Sequence, residues 1–355
     1  MKKIISILTV LLALSLVLSA CGSPAPTAAP AAVEEPQTAP ETSTEPEAEP
    51  APTVETFRVA VVMPSSINDL AFSQSMYNAL VLIQTEMGGP DYFDFVYSDN
   101  MFVVDDAAAA LRDYASQGYD LVIGHGSQYG SSLQEIAPDF PETSFAWGTT
   151  VETFGQPNIF AYEAASHEGG YVNGVLAASL TESGVVGVVG PIETGDAKLY
   201  VDGFVAGVKA TDPSITVRVS YIGSFSDVAL ASEAANTHIA GGADVMTGTA
   251  QMVVGAIGVA QENNVLWLGT QSNQTSLAPE IVVASQVYHW EVVIREIMAK
   301  MAAGTLGGTS FVISLADGSE LMEYNEAYDL PADVKTLADQ TVQGLIDGSI
   351  TITLP

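Results

Sequence analysis

From Thr56 onward, short apolar runs rich in β-branched residues alternate with longer stretches whose large apolar side chains recur every three or four positions. Phe57–Met63 is the first such run and ends at Pro64; Asp69–Met87 then places Phe72, Met76, Leu80 and Ile83 on one helical face. The same reading predicts strands at Tyr92–Tyr97, Leu121–Ile123, Ser144–Trp147 and Asn158–Tyr162, with helices at Val104–Ser116 and near Ser131–Pro138. Strands separated by single helices predict a parallel, doubly wound sheet with right-handed crossovers.

The rhythm then restarts. Helices are predicted at Gly169–Leu180, Leu199–Thr211, Leu230–Ala240 and Val253–Glu262, and strands at Gly184–Gly190, Thr216–Ile222, Asp244–Met246 and Val265–Leu268. What remains is a helix at about Trp290–Ala303, a strand at Ser310–Leu315 and a helix at Ala332–Asp347. That is too little for a third domain, so it returns to complete the other two. The predicted fold class is α/β, two doubly wound lobes joined by a hinge. Lobe 1 is expected to comprise 56–162 plus 271–307, and lobe 2 163–270 plus 308–355. The hinge is expected near Tyr162–Glu163, Thr270–Gln271 and Gly307–Gly308. Such a clamshell binds a ligand beyond the carboxyl ends of its strands.

The first 55 residues follow other rules. Lys2 and Lys3 precede Ile4–Leu18, an apolar run shorter than the ~20 residues of a spanning helix, which reads as a secretory signal over 1–20. It ends in Leu18-Ser19-Ala20-Cys21, which resembles the bacterial lipobox and implies a cleaved chain acylated at Cys21. Gly22–Glu55 holds eight Pro and seven Glu without Lys or Arg, so 21–55 reads as an extended tether able to span on the order of 100 Å. The expected location is the extracytoplasmic face of a bacterial cell membrane, held there by lipid.

Charge and chemistry narrow the function. The chain carries 10 Lys+Arg against 42 Asp+Glu, a net charge of −32, with the basic residues beyond Lys2 and Lys3 scattered singly, which excludes nucleic acid as a partner. One cysteine excludes an internal disulfide and a thiolate metal cluster. No cofactor or metal is expected. Nor is an enzyme: Ser127 follows Gly126 directly and misses the Gly-x-Ser-x-Gly elbow, and His167-Glu168 lacks the second histidine of a zinc protease motif. The glycines of Gly184–Gly190 are spaced wrongly for a dinucleotide fingerprint.

The search therefore falls on loops that follow strands. After the first comes Ser65–Ser75, where Asn68, Asp69, Phe72 and Gln74 are candidate ligand contacts, although Asn68 and Asp69 would serve equally as helix caps. Gly124–Gly130 offers Ser127 and Tyr129 among glycines that let a backbone approach a ligand. Gly223–Asp227 offers Phe225 and Asp227, and Gly269–Gln274 offers Gln271 and Asn273.

These segments together carry a resemblance. The lipobox, Asn68-Asp69-x-x-Phe72-Ser73-Gln74, the Gly-x-Gly loop at Gly124, the Gly169–Ala178 helix, Asp202-Gly203-Phe204-x-x-Gly207, Gly223-Ser224-Phe225-x-Asp227 and Gly242-Ala243-Asp244-Val245 resemble the basic membrane protein family. The likeness runs from about Arg58 to Gly304. It implies a type I periplasmic-binding fold and a monomeric receptor lipoprotein that hands a small ligand to the permease subunits of an ABC importer. It further implies a nucleoside or nucleobase ring held between two aromatics, here Phe72 and Phe225. The family's acidic residue after the last strand and lysine on the following strand, which hold ribose, are replaced by Gln271 and Tyr288. That departure keeps open a second ligand class, a neutral or cationic solute such as a sugar or an amine, and a signalling role beside transport.

Overall fold

The structure is a computed structural model that describes residues 55–355. The signal, Cys21 and the tether as far as residue 54 lie outside the described residues. In chain order the elements are Phe57–Val62 (β1), Phe72–Met87 (α1), Phe93–Ser98 (β2), Val104–Ser116 (α2), Leu121–His125 (β3), Gly130–Ile136 (α3), Ser144–Gly148 (β4) and Ile159–Ala164 (β5). The second series is His167–Leu180 (α4), Val185–Gly190 (β6), Gly195–Thr211 (α5), Thr216–Tyr221 (β7), Val228–Ala240 (α6), Val245–Gly248 (β8), Val253–Glu262 (α7), Leu266–Gly269 (β9) and Val282–Tyr288 (β10). The chain finishes with Trp290–Ala302 (α8), Ser310–Ile313 (β11), Glu320–Tyr324 (β12) and Ala332–Ile346 (α9).

Two six-stranded sheets result, ordered β11-β5-β4-β3-β1-β2 and β12-β10-β9-β8-β6-β7. Every pairing in the first is parallel; in the second only β12 runs antiparallel, against β10. Each sheet is apolar on both faces because helices cover both. Along β1, Val59 and Val61 enter the core beneath α1 and α8, whereas Ala60 and Val62 enter the one beneath α2 and α3. The helical period does the matching work: Phe72, Met76, Ala79, Leu80 and Ile83 of α1 meet Trp290, Val293, Ile294 and Ile297 of α8. The Trp290 indole N–H donates to Ser75 Oγ at 3.0 Å and pins the two helices together.

In the second lobe α4 and α5 cross so closely that backbone meets backbone. A Cβ on Gly203 would stand 2.2 Å from the His167 carbonyl oxygen, and one on Gly207 2.1 Å from that of Tyr171. The Asp202-Gly203-Phe204-x-x-Gly207 pattern is thus a packing requirement of the lobe.

Sheet membership moves two of the three expected crossings. Val282–Tyr288, placed by sequence within lobe 1, pairs with β9 in the second sheet, and Ser310–Ile313, placed in lobe 2, pairs with β5 in the first. The chain passes between sheets after Ala164, at Tyr288–His289 and after Ile313. Gly307 reads as a hinge glycine, yet it packs at the base of the first sheet, where a Cβ would lie 2.3 Å from the Ile159 backbone nitrogen. Two strands bury polar side chains: β10 follows buried Val282, Val283 and Ala284 with fully buried Ser285 and Gln286, and β12 begins at fully buried Glu320.

Candidate functional site

In both sheets the strand order reverses, between β1 and β3 in one and between β6 and β8 in the other. A crevice opens beyond the strands at such a point. The loops leaving these strands line one cleft of about 360 Å³, its open mouth included. Pro64 and Phe72 follow β1, Gly126, Ser127 and Gln128 follow β3, and Thr149 follows β4. From the second lobe, Asp196 and Ala197 follow β6, Phe225 follows β7, Ala250 and Gln251 follow β8, and Gln271 follows β9.

Phe72 opens α1 and is held from behind. Its ring stacks on the His125 imidazole, with centroids 3.8 Å apart and planes 8° apart, and the Trp290 indole meets it edge-on at 6.3 Å. His125 Nε2 lies 3.2 Å from the Phe72 carbonyl oxygen, which can only accept, so Nε2 carries the proton and Nδ1 accepts from the Tyr162 hydroxyl at 2.7 Å. Burial pushes His125 down to about 3, against the Phe72 carbonyl bond, so the imidazole is neutral around pH 7. A neutral, fixed ring is a backing plate that leaves the other face of Phe72 for a ligand. Phe225 stands on the opposite lobe, half-buried against the core of β8, α6 and α7. The two aromatics expected to clamp a ring thus line the same cleft from both sides.

The polar lining is mostly amide and hydroxyl. Asp196, in the first turn of α5, is its one carboxylate, 8% exposed, and its Oδ1 accepts from Thr149 Oγ1 at 3.0 Å across the lobes. Burial raises its pKa, and hydrogen bonds from Thr149, the Ala197 N–H and the Gln271 amide oppose that rise. Gln251 and Gln271 are 8% and 2% exposed. Ala250 and Gln271 adopt left-handed backbone, with φ of 74° and 71°. For non-glycine residues that costs about 1–2 kcal/mol each, and such strain concentrates where loops are shaped for ligands.

The other expected site residues lie elsewhere. Asp69 turns inward, where its carboxylate accepts the N–H groups of Ala71, Ser73 and Gln74 at the start of α1. Burial raises its pKa, and those bonds with the Ser65 hydroxyl counter the rise. Gln74 Oε1 accepts the Leu70 N–H, and exposed Asn68 accepts from the Ser66 hydroxyl. Tyr129 is carried away from the cleft by the 3₁₀ turn Ser127–Tyr129, and its hydroxyl donates to the Met101 carbonyl inside the core. Asp227 caps α6 by accepting the Leu230 N–H, and exposed Asn273 donates to Glu323. Tyr288 is buried, its N–H donating to the Gln271 carbonyl at 3.3 Å and its ring meeting Trp290 with centroids 5.2 Å apart.

Thr149, Asp196, Ala250 and Gln251 were not singled out by sequence, although the strand-end rule that finds Phe72 reaches them when applied to the loops after β4, β6 and β8. Among the described residues there is no group of three or more His, Cys, Asp or Glu placed to hold a metal ion, and no helix long and apolar enough to cross a membrane.

Comparison with known proteins identifies the family and the fold. Residues 56–350 match the family described as ABC transporter substrate-binding protein, PnrA-like. A purine-binding protein of Brucella abortus is 25% identical over 260 residues, covering 73% of each chain. An ABC transporter nucleoside-binding protein of Lactococcus lactis is 25% identical over 320 residues, covering 83% of this chain and 88% of that one. An ABC transporter solute-binding protein of Aeropyrum pernix superposes with a TM-score of 0.73 at 18% identity, over 84% of this chain and 94% of its own.

Proposed function

Because the chain belongs to the PnrA-like family of ABC transporter substrate-binding proteins, we propose that it captures a nucleoside or nucleobase between its lobes and presents it to the permease subunits of an ABC importer. The observation that carries this reading is the pair Phe72 and Phe225, one from each lobe, lining one cleft at the switch points of both sheets. Aromatic faces on both sides of a flat ring contribute about 1–3 kcal/mol per face. The names of the Brucella and Lactococcus relatives support the same ligand class. The Leu18–Cys21 sequence supports an acylated Cys21 that keeps the receptor at the extracytoplasmic membrane face. Entry of a ring sandwiched from both sides requires the lobes to part, and the three crossings provide the hinge.

A second reading is favoured by one observation: Asp196 is the sole charged side chain in the lining, which suits a small cationic amine. Mass spectrometry of whatever is released on denaturing the purified protein decides between the two, backed by thermal-shift screening of nucleosides, bases, sugars and amines. Release and stabilisation by a nucleoside or base is expected; stabilisation by amines or sugars alone refutes the primary reading.

A further inference from the structure

Where the first crossing meets the cleft, the two lobes bring one carboxyl each to the same seam. Asp196, in the first turn of α5, accepts from the Thr149 hydroxyl of the first lobe at 3.0 Å, and its backbone carbonyl accepts from the Ser166 hydroxyl, at the crossing itself, at 2.7 Å. It is more than nine-tenths buried, and its Oδ2 has no hydrogen-bond partner. The start of α5 is pressed against the first lobe: a Cβ on Gly195 would lie 3.1 Å from Thr149 Oγ1. On the other side, β4 and β5 pair Gly148 with Tyr162, and the Thr150 N–H donates to the Tyr162 carbonyl at 2.9 Å. The Thr149–Thr150 turn that touches Asp196 therefore lies beside partly buried Glu163, the last residue but one of β5.

No cation answers this pair. No lysine or arginine lines the cleft, and Lys198 of α5 is paired with Asp202. On the surrounding elements, burial keeps Tyr288 of β10 and Glu320 of β12 neutral and pushes His167 of α4 down. Glu168 of α4 accepts the Leu315 N–H, with Asp317 beside it. Two carboxylates in a half-dry seam without a counter-charge repel, and removing the charge from one relieves them.

We propose that Glu163 and Asp196 form a proton-operated latch between the lobes: a proton on Glu163 lets the cleft close, and its loss sets two like charges against each other and favours the open arrangement. The inference rests on closure of the lobes as read above and holds whichever ligand the cleft takes. Its sign follows from the shift already on the molecule. In the closed arrangement burial, with the Asp196 carboxyl, raises Glu163 to about 7; parted lobes expose it to water and return it toward its ordinary 4.5. Closure between these values takes up a proton, so affinity is lowest above about pH 7 and rises by up to about tenfold per pH unit as pH falls toward 4.5.

Calorimetric titration between pH 5 and 8, in buffers of different ionisation enthalpy, tests this with adenosine, guanosine, uridine, glucose and choline, none of which gains or loses a proton in that range. The parent is expected to take up roughly 0.5 to 0.9 proton per ligand bound between pH 6 and 7, and to bind about tenfold or more tightly at pH 5.5 than at pH 8. Glu163→Gln, which keeps the shape of the neutral acid, is expected to take up none and to hold the parent's acid-side affinity at every pH. Asp196→Asn is expected to reduce the uptake without abolishing it, because burial of Glu163 remains. A merely structural role for Glu163 would move Tm and leave the proton count as it is. Nucleoside binding without proton uptake, or parental uptake in Glu163→Gln, overturns the latch and leaves the base-binding reading intact. Uptake with glucose or choline alone supports the latch while refuting that reading. If none of the five binds, the base-binding reading fails, and the radius of gyration of the free protein decides the latch: a smaller radius at pH 5 than at pH 8 in the parent, with no such change in Glu163→Gln, is expected, and the same response in both overturns it.

Discussion

Removing the ring of Phe225 is the most direct perturbation of the proposed clamp. Phe72 is 8% exposed and braced by His125 and Trp290, so Phe72→Ala opens a core cavity costing about 3–5 kcal/mol of stability in addition to any loss of binding. Phe225 is only half-buried, and its truncation costs about 1–2 kcal/mol of folding free energy. The lost stacking face is worth about 1–3 kcal/mol in either variant, or roughly 10- to 100-fold in Kd. Phe225→Ala should therefore fold nearly as well as the parent and bind its nucleoside or base ligand roughly 10- to 100-fold more weakly, with Phe225→Tyr close to the parent. Phe72→Leu, which fills much of the cavity, should show the same binding loss with a smaller fall in Tm than Phe72→Ala. Calorimetric Kd and thermal unfolding on the same samples separate the two effects. Parental affinity in both Phe225→Ala and Phe72→Leu would refute the clamp.

Three further outcomes are expected. Burial, with the neighbouring Asp196 carboxyl, raises Glu163 to about 7, above its ordinary value of 4.5. The folded chain thus holds this proton more tightly than the unfolded one, so its contribution to stability is full below about pH 4.5 and is lost as pH rises through about 7. Glu163→Gln should flatten the decline in Tm between pH 5 and 8, and parallel curves for parent and variant would contradict this. Cys21→Ala should release the protein from bacterial membranes into the soluble fraction, an outcome that retention of the variant would contradict. Small-angle scattering should show a smaller radius of gyration with a saturating nucleoside or base ligand than without, and an unchanged radius would argue against hinge closure.

Most of the scaffold could be read from the chain because its period carries the information. α2 and α7 fall at their predicted residues, and the alternation of single helices and strands yields two parallel sheets. β12 escaped the pattern because its buried first position is Glu320, whose carboxylate accepts from Gln286 of β10, and the apolar run Val282–Ala284 of β10 breaks off at buried Ser285 and Gln286. In the cleft, Phe72, Ser127, Phe225 and Gln271 could be read because an aromatic or polar residue directly after a strand has few other places to go. Tyr129 and Asp69 show the limit of that rule. One 3₁₀ turn rotates a side chain from cleft to core, and a carboxylate beside a helix start finds backbone N–H groups closer than any ligand. Asp196 was missed because α5 starts four residues earlier than its apolar spacing suggests.

The route of the chain between the sheets also dictates the order in which the molecule can be built. The strand that closes the edge of the first sheet, β11, and the helix that covers α1, α8, both lie beyond nearly all of the second lobe in sequence. As the chain lengthens from its N-terminus, β5 presents an open parallel edge and α1 an uncovered apolar face until Trp290–Ile313 arrives. Pairings between residues so far apart are slow to form, and open strand edges are where chains aggregate or pair wrongly. A fragment ending before Trp290 leaves the first half unfinished, and one beginning after Ala164 leaves α8 and β11 without partners. The molecule must therefore commit as a whole, with its C-terminal segment as the last piece required.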